Sequence, residues 1–187
     1  MIEVGYFPKR VRARPDWLPA PAAQEICSVS NCVSEPPDGW IQQWRHNWLG
    51  WYNTLADARA VVPPEAASEY RLLAYRMHPD LFRGGKTLRV TIPDDVHPEP
   101  MPKEFERLGF DCASKTQPDV LGLECSPLSC NGLAREIAVN CHCLVNALPE
   151  ALAIAERFSV EQPEPGDYYV IEVLEAPAAG RRTSGCS

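Results

Sequence analysis

The sequence predicts an α+β fold: a mainly antiparallel sheet with three to four helices packed on it, in a single domain. Three observations lead there. Period-two alternation of apolar and polar residues recurs in separate segments, which marks strands with one buried face. Helical runs lie between them without the regular rhythm that builds a parallel sheet. Proline, 19 of 187 residues, clusters in EPPDG, VVPPEA and IPDDVHPEPMPKE, where it fixes φ and disfavours a bundle of long helices.

In chain order, IEVGYF at the N-terminus is a short strand candidate. DGWIQQWRHNWLGWYN follows as a helix with Asp38 as N-cap and Gly50 as its stop. Its Trp40, Trp44, Trp48 and Trp51 are spaced four, four and three apart, which on a helix confines the indoles to an arc of about 80°. RLLAYRMHP places Leu73, Tyr75 and Met77 on one face, and TLRVTIP does the same with Leu88, Val90 and Ile92. The intervening PDLFRGGK holds turn formers, so the two runs read as a hairpin with a longish loop. PKEFERLG reads as a short helix, while GFDCAS and VLGLE are weaker strand candidates. SPLSCNGLAREIAVN, residues 126 to 140, reads as a helix with Ser126 as N-cap and Pro127 in its first turn. PEALAIAERF, residues 149 to 158, is another helix, and DYYVIEVLEA is a well-buried final strand. Residues 1–176 form the globular unit. Residues 177–187 read as a flexible tail that leaves Cys186 an exposed thiol.

Composition narrows the function classes. A net charge of −7 and a pI near 5.1 argue against nucleic acid and anionic membranes as partners, which are met by an excess of Lys and Arg. The one basic cluster, KRVRAR, reads as a solvated loop. No run of 18 apolar residues exists, and the N-terminus lacks a secretory pattern, so the expected location is cytoplasmic. In that compartment eight cysteines are free thiols by default, with metal binding or redox chemistry as the special cases. Nucleotide-binding loops, the Gly-x-Ser-x-Gly elbow and the His-Glu-x-x-His zinc motif are all missing.

The segment LGLECSPLSCNGLAREIAVNCHC, residues 121 to 143, supports three readings. In the first the cysteines pack as small apolar side chains, with Cys130, Ala134, Ile137 and Cys141 at helical spacing. In the second, Cys125 stands between a strand and a helix N-terminus, where the helix dipole favours a thiolate. Cys130 is then its resolving partner and His142 its candidate base. In the third, ICSVSNC and ECSPLSC, which echo one another, supply Cys27, Cys32, Cys125 and Cys130 to a zinc ion. The spacing is not that of a familiar zinc knuckle, and no cofactor is preferred. With no catalytic motif, the preferred function is a protein-interaction or accessory module that meets a protein partner through Trp40, Trp44, Arg45, Trp48 and Trp51. A thiol-dependent enzyme or redox protein and a zinc-binding protein are the alternatives.

Overall fold

The computed structural model describes residues 1–116, 122–123, 125–131 and 133–177. Among these residues seven strands run in chain order: β1 (Ile2–Lys9), β2 (Arg12–Ala13), β3 (Glu25–Ile26), β4 (Arg71–Arg83), β5 (Lys86–Arg89), β6 (Glu106–Lys115) and β7 (Asp167–Glu175). The α-helices are α1 (Leu55–Ala60), α2 (Pro127–Cys130) and α3 (Leu148–Glu161). The main sheet has the order β1-β4-β7-β6, with β5 folded back on β4, and every pairing is antiparallel. The α+β domain expected from the sequence is therefore what forms.

Alternation explains the sheet. Leu73, Tyr75 and Met77 of β4 and Ile171 and Val173 of β7 are fully buried in one apolar cluster. Phe110 and Cys112 of β6 and Tyr168 and Val170 of β7 are buried in a second. There α3 lays down Ala151, Ile154, Ala155 and Phe158, with Phe158 against the Tyr168 ring at 5.7 Å between centroids. Pro149 sits in the first turn of α3, where its missing N–H costs nothing.

The two halves of the chain repeat one another. In β1 a register shift between Glu3 and Gly5 precedes the pairing of Gly5 with Tyr75. In β6 a shift between Arg107 and Gly109 precedes the pairing of Gly109 with Val173. Tyr75 and Val173 are themselves partners across β4 and β7, so a twofold rotation about that pair exchanges β4 with β7 and β1 with β6. An asparagine marks the same place in each half. Asn47 Oδ1 accepts from the Leu49 and Trp51 amides at 3.0 and 3.2 Å, and its Nδ2 donates to Val4 O and Asn53 Oδ1, both at 3.0 Å. Asn140 Oδ1 accepts from the His142 and Leu144 amides at 2.9 and 3.2 Å, and its Nδ2 donates to Leu108 O and Asn146 Oδ1 at 2.8 and 3.0 Å. Glycine is required where these loops meet the strands. A Cβ on Gly5 would lie 2.8 Å from Tyr52 O, and one on Gly109 would lie 2.8 Å from Leu144 Cβ.

Several expected elements are corrected. The tryptophan-rich segment is not a helix: only Ile41–Gln43 forms a 3-10 turn, and Gly39 and Gly50 take φ of +73° and +79°, which breaks the run. PKEFERLG is no helix either, because Glu106 already begins β6. The helix expected over residues 126 to 140 shrinks to α2 and a 3-10 turn at Leu133–Arg135, so the stripe from Cys130 to Cys141 does not exist. The hairpin is tighter than expected, since β4 runs on to Arg83 and only Gly84 and Gly85 separate it from Lys86. Its second strand is also shorter: β5 ends at Arg89 with every residue exposed, so Leu88, Val90 and Ile92 do not share a buried strand face. Most of VLGLE, the tail and Cys186 lie outside the described residues.

Candidate functional site

The site forms where a loop of the first half meets β6 and α2 of the second. Lys9, the last residue of β1, is completely buried. Its Nζ donates to the carbonyls of Ser28, Val29 and Ser30 at 2.7, 2.9 and 2.6 Å. The other side of that loop rests on Asp111 of β6, also fully buried. Asp111 Oδ2 accepts from Ser28 Oγ and Val29 N, both at 2.9 Å, and Oδ1 accepts from Ser126 Oγ at 2.5 Å. An ammonium and a carboxylate thus clamp residues 28 to 30 between them, and the carboxylate ties that loop to the residue after Cys125. Burial pulls the Lys9 amine down to about 7, against the opposing pull of Asp111 and the nearby thiols.

The clamped loop delivers Cys32 to two thiols of the second half. The Cys32, Cys125 and Cys130 sulfurs all lie within 4.8 Å of one another, with Cys32 Sγ 3.8 Å from Cys125 Sγ. Ser30 Oγ supports the group from below, 3.3 Å from Cys130 Sγ and accepting from the Cys32 amide at 3.2 Å. Cys32 is exposed, while Cys125 and Cys130 are partly covered. A hydrogen bond from Cys130 draws the Cys32 thiol down to about 7, and burial opposes it. Burial and the charge of Cys130 push Cys125 up to about 12. The hydrogen bond with Cys32, then burial, raises Cys130 as well.

This arrangement reassigns the expected roles. Cys125 is not a thiolate tuned by a helix: α2 has four residues, and Ser126 turns its hydroxyl to Asp111 instead of capping it. The more acidic thiol is Cys32. Cys27 leaves the proposed zinc set, because β3 carries it to a second cluster with Glu25 and His142. There the Cys27 amide donates to His142 O at 3.1 Å, and burial raises the thiol well above its ordinary value. His142 is not placed as a base for Cys125; its Nδ1 meets Glu25 Oε1 at 2.7 Å. The guanidinium of Arg71 donates to the same oxygen at 2.5 Å and forks onto Glu175. A fixed positive charge is thus already paired with the carboxylate of this cluster, which ties β3, β4 and β7 together. Cys141 is disulfide-bonded and offers no thiol.

Glu25 yields a pH test. Burial alone would raise its carboxyl, but hydrogen bonds from His142 and Arg71 hold it at about 2, below its ordinary 4.5. The unfolded chain therefore binds the proton first, and the stabilisation is complete above about pH 4.5 and fades as pH falls toward 2. Glu25→Gln is expected to cost about 2 kcal/mol at pH 7, with the gap to wild type closing in acid. Urea denaturation across that pH range checks it, and a gap independent of pH would contradict the assignment.

The tryptophans scatter. Trp51 is buried against Tyr75, 4.8 Å between ring centroids, and Trp40 packs edge-on against Phe7 at 5.0 Å. Trp44 is 82% exposed, and Arg45 pairs loosely with Asp57 at 3.5 Å. Trp48 lines a cleft of about 490 Å³ beside Leu81, Arg83, Lys115 and Tyr169. The sequence reading puts Lys9 in a solvated basic loop and passes over Asp111, whereas the structure ends β1 on Lys9 and buries both residues, which shape the site. A signal for Asp111 was present: a lone carboxylate between Phe110 and Cys112 in a strand run.

Comparison with known proteins finds no matching family, no matching curated protein and no matching solved structure. Among the described residues, no helix is long and apolar enough to cross a membrane.

Proposed function

We propose that the protein binds a thiophilic divalent cation, zinc being the type case, through the thiolates of Cys32, Cys125 and Cys130. The convergence of three sulfurs from two halves of the chain carries this reading. A tetrahedral ion with Zn–S bonds of about 2.3 Å needs sulfurs about 3.8 Å apart, and Cys32 and Cys125 stand at 3.8 Å. Three thiolates around a divalent ion leave one surplus negative charge, and the Lys9 ammonium beneath the loop supplies its counterpart. Among the described residues no fourth Cys, His, Asp or Glu joins the group. The fourth position would be taken by water or by another ligand.

The ion would join the halves of the chain, so binding stabilises the fold by mass action. Titration of the reduced protein against a chromophoric zinc indicator tests the reading. One ion per chain is expected, and Cys32→Ser, Cys125→Ser and Cys130→Ser should each weaken binding by more than about 100-fold, beyond what loss of an outer-shell partner does. Cys27→Ala should leave the affinity unchanged. Equal affinity in all four variants would contradict the ligand set.

A further inference from the structure

We infer that the site is redox-gated: a small-molecule disulfide of the glutathione class closes a bond between Cys32 and Cys125 and thereby expels the ion. This rests on the ion-binding reading above. Cys32 is the one exposed thiol among the described free cysteines; Cys27, Cys112 and Cys143 are buried, and Cys125 and Cys130 are partly covered. An incoming oxidant therefore meets Cys32 first. Its sulfur is 3.8 Å from that of Cys125, and a disulfide of about 2.05 Å needs the two to approach by about 1.8 Å. Cys130 also hydrogen-bonds Cys32, but its sulfur and its backbone are engaged by other groups. Its amide donates to Ser126 O at 2.8 Å and its sulfur contacts Ser30 Oγ at 3.3 Å.

The steps balance. Cys32 thiolate attacks one sulfur of the oxidant RS–SR, forming a mixed disulfide and releasing RS⁻. Cys125 thiolate then attacks the Cys32 sulfur of that mixed disulfide and displaces the second RS⁻. The two cysteines are oxidised, RS–SR is reduced to two thiols, and the site loses two of its three thiolate ligands. Cys130 alone does not retain the ion, which leaves as the free divalent cation. Excess small thiol reverses both exchanges and restores the site.

The full-length chain, loaded with zinc and treated with oxidised glutathione, is expected to release its whole equivalent of zinc to an indicator. Peptide mapping should show a Cys32–Cys125 link. Cys125→Ser should instead trap glutathione on Cys32, while Cys130→Ser should still close the link. A bond from Cys32 or Cys125 to any other cysteine of the chain, or a lasting glutathione adduct on Cys32 in the wild type, would overturn the inference. Zinc uptake without closure overturns the gate alone. Closure in a chain that never takes up zinc overturns the ion-binding reading, and with it the release, while the disulfide remains as an independent result.

Discussion

Asp111→Ala is expected to destabilise the protein by roughly 3–5 kcal/mol, the cost of removing one partner from a buried charged network. The carboxylate is fully buried and accepts from two hydroxyls and an amide. Alanine leaves the Ser28 and Ser126 hydroxyls and the Val29 amide without an acceptor, in a place water reaches poorly. Natural domains are stable by only about 5–15 kcal/mol, so much of the total is at stake. The effect on the site is specific as well. Asp111 is what ties the first-half loop to Ser126, and without it Cys32 is no longer held against Cys125 and Cys130. Zinc affinity should therefore fall even where the variant remains folded. Asp111→Asn, which keeps one carbonyl oxygen, should fall between the two. Urea denaturation alongside zinc titration reads both effects, and a loss below about 1 kcal/mol with unchanged affinity would refute the clamp.

Lys9→Met probes the other jaw. Methionine has similar length but no donor, so the carbonyls of Ser28, Val29 and Ser30 lose the ammonium they share. A cost of about 3 kcal/mol at neutral pH is expected, scaled to the loss of charge-assisted hydrogen bonds. The pH dependence gives a second signature. Burial sets the folded amine at about 7 against an ordinary 10.5, so between those values the unfolded chain binds more protons. Stability from this group therefore rises with pH through that window. Lys9→Met lacks this rise, and its deficit relative to wild type should widen from pH 7 toward pH 10. A gap that narrows over the same range would contradict a buried amine held mainly by desolvation.

The sheet was legible because alternation reports burial directly. Leu73, Tyr75 and Met77 read as one face and are one face, and DYYVIEVLE reads as a buried strand and pairs as β7 between β4 and β6. The tryptophan helix misled because spacing measures only what a helix would do if it formed. Gly39 and Gly50 at positive φ bend the chain, sending Trp40 to Phe7, Trp51 to Tyr75 and Trp44 to solvent. The repeat was legible in the wrong place. The echo of ICSVSNC in ECSPLSC is not the structural one: the bridge between Ser114 and Cys125 corresponds to that between Arg10 and Glu35, so Cys125 stands where Glu35 stands. The true echo is NWLGWYN with NCHCLVN, in which only the paired asparagines match. Three of the four suggested zinc ligands converge, but local sequence holds no sign that β3 would carry Cys27 to His142. That placement comes from the Gln24, Glu25 and Cys27 amides binding the carbonyls of Cys141 and His142, a pairing more than a hundred residues apart in the chain.

X-ray absorption at the zinc edge of the zinc-loaded, reduced protein tests the central claim most directly. Three sulfur neighbours at about 2.3 Å and one lighter atom are the predicted shell, reduced to two sulfurs in Cys32→Ser. A shell made only of oxygen and nitrogen, or a protein that takes up no zinc, would contradict it.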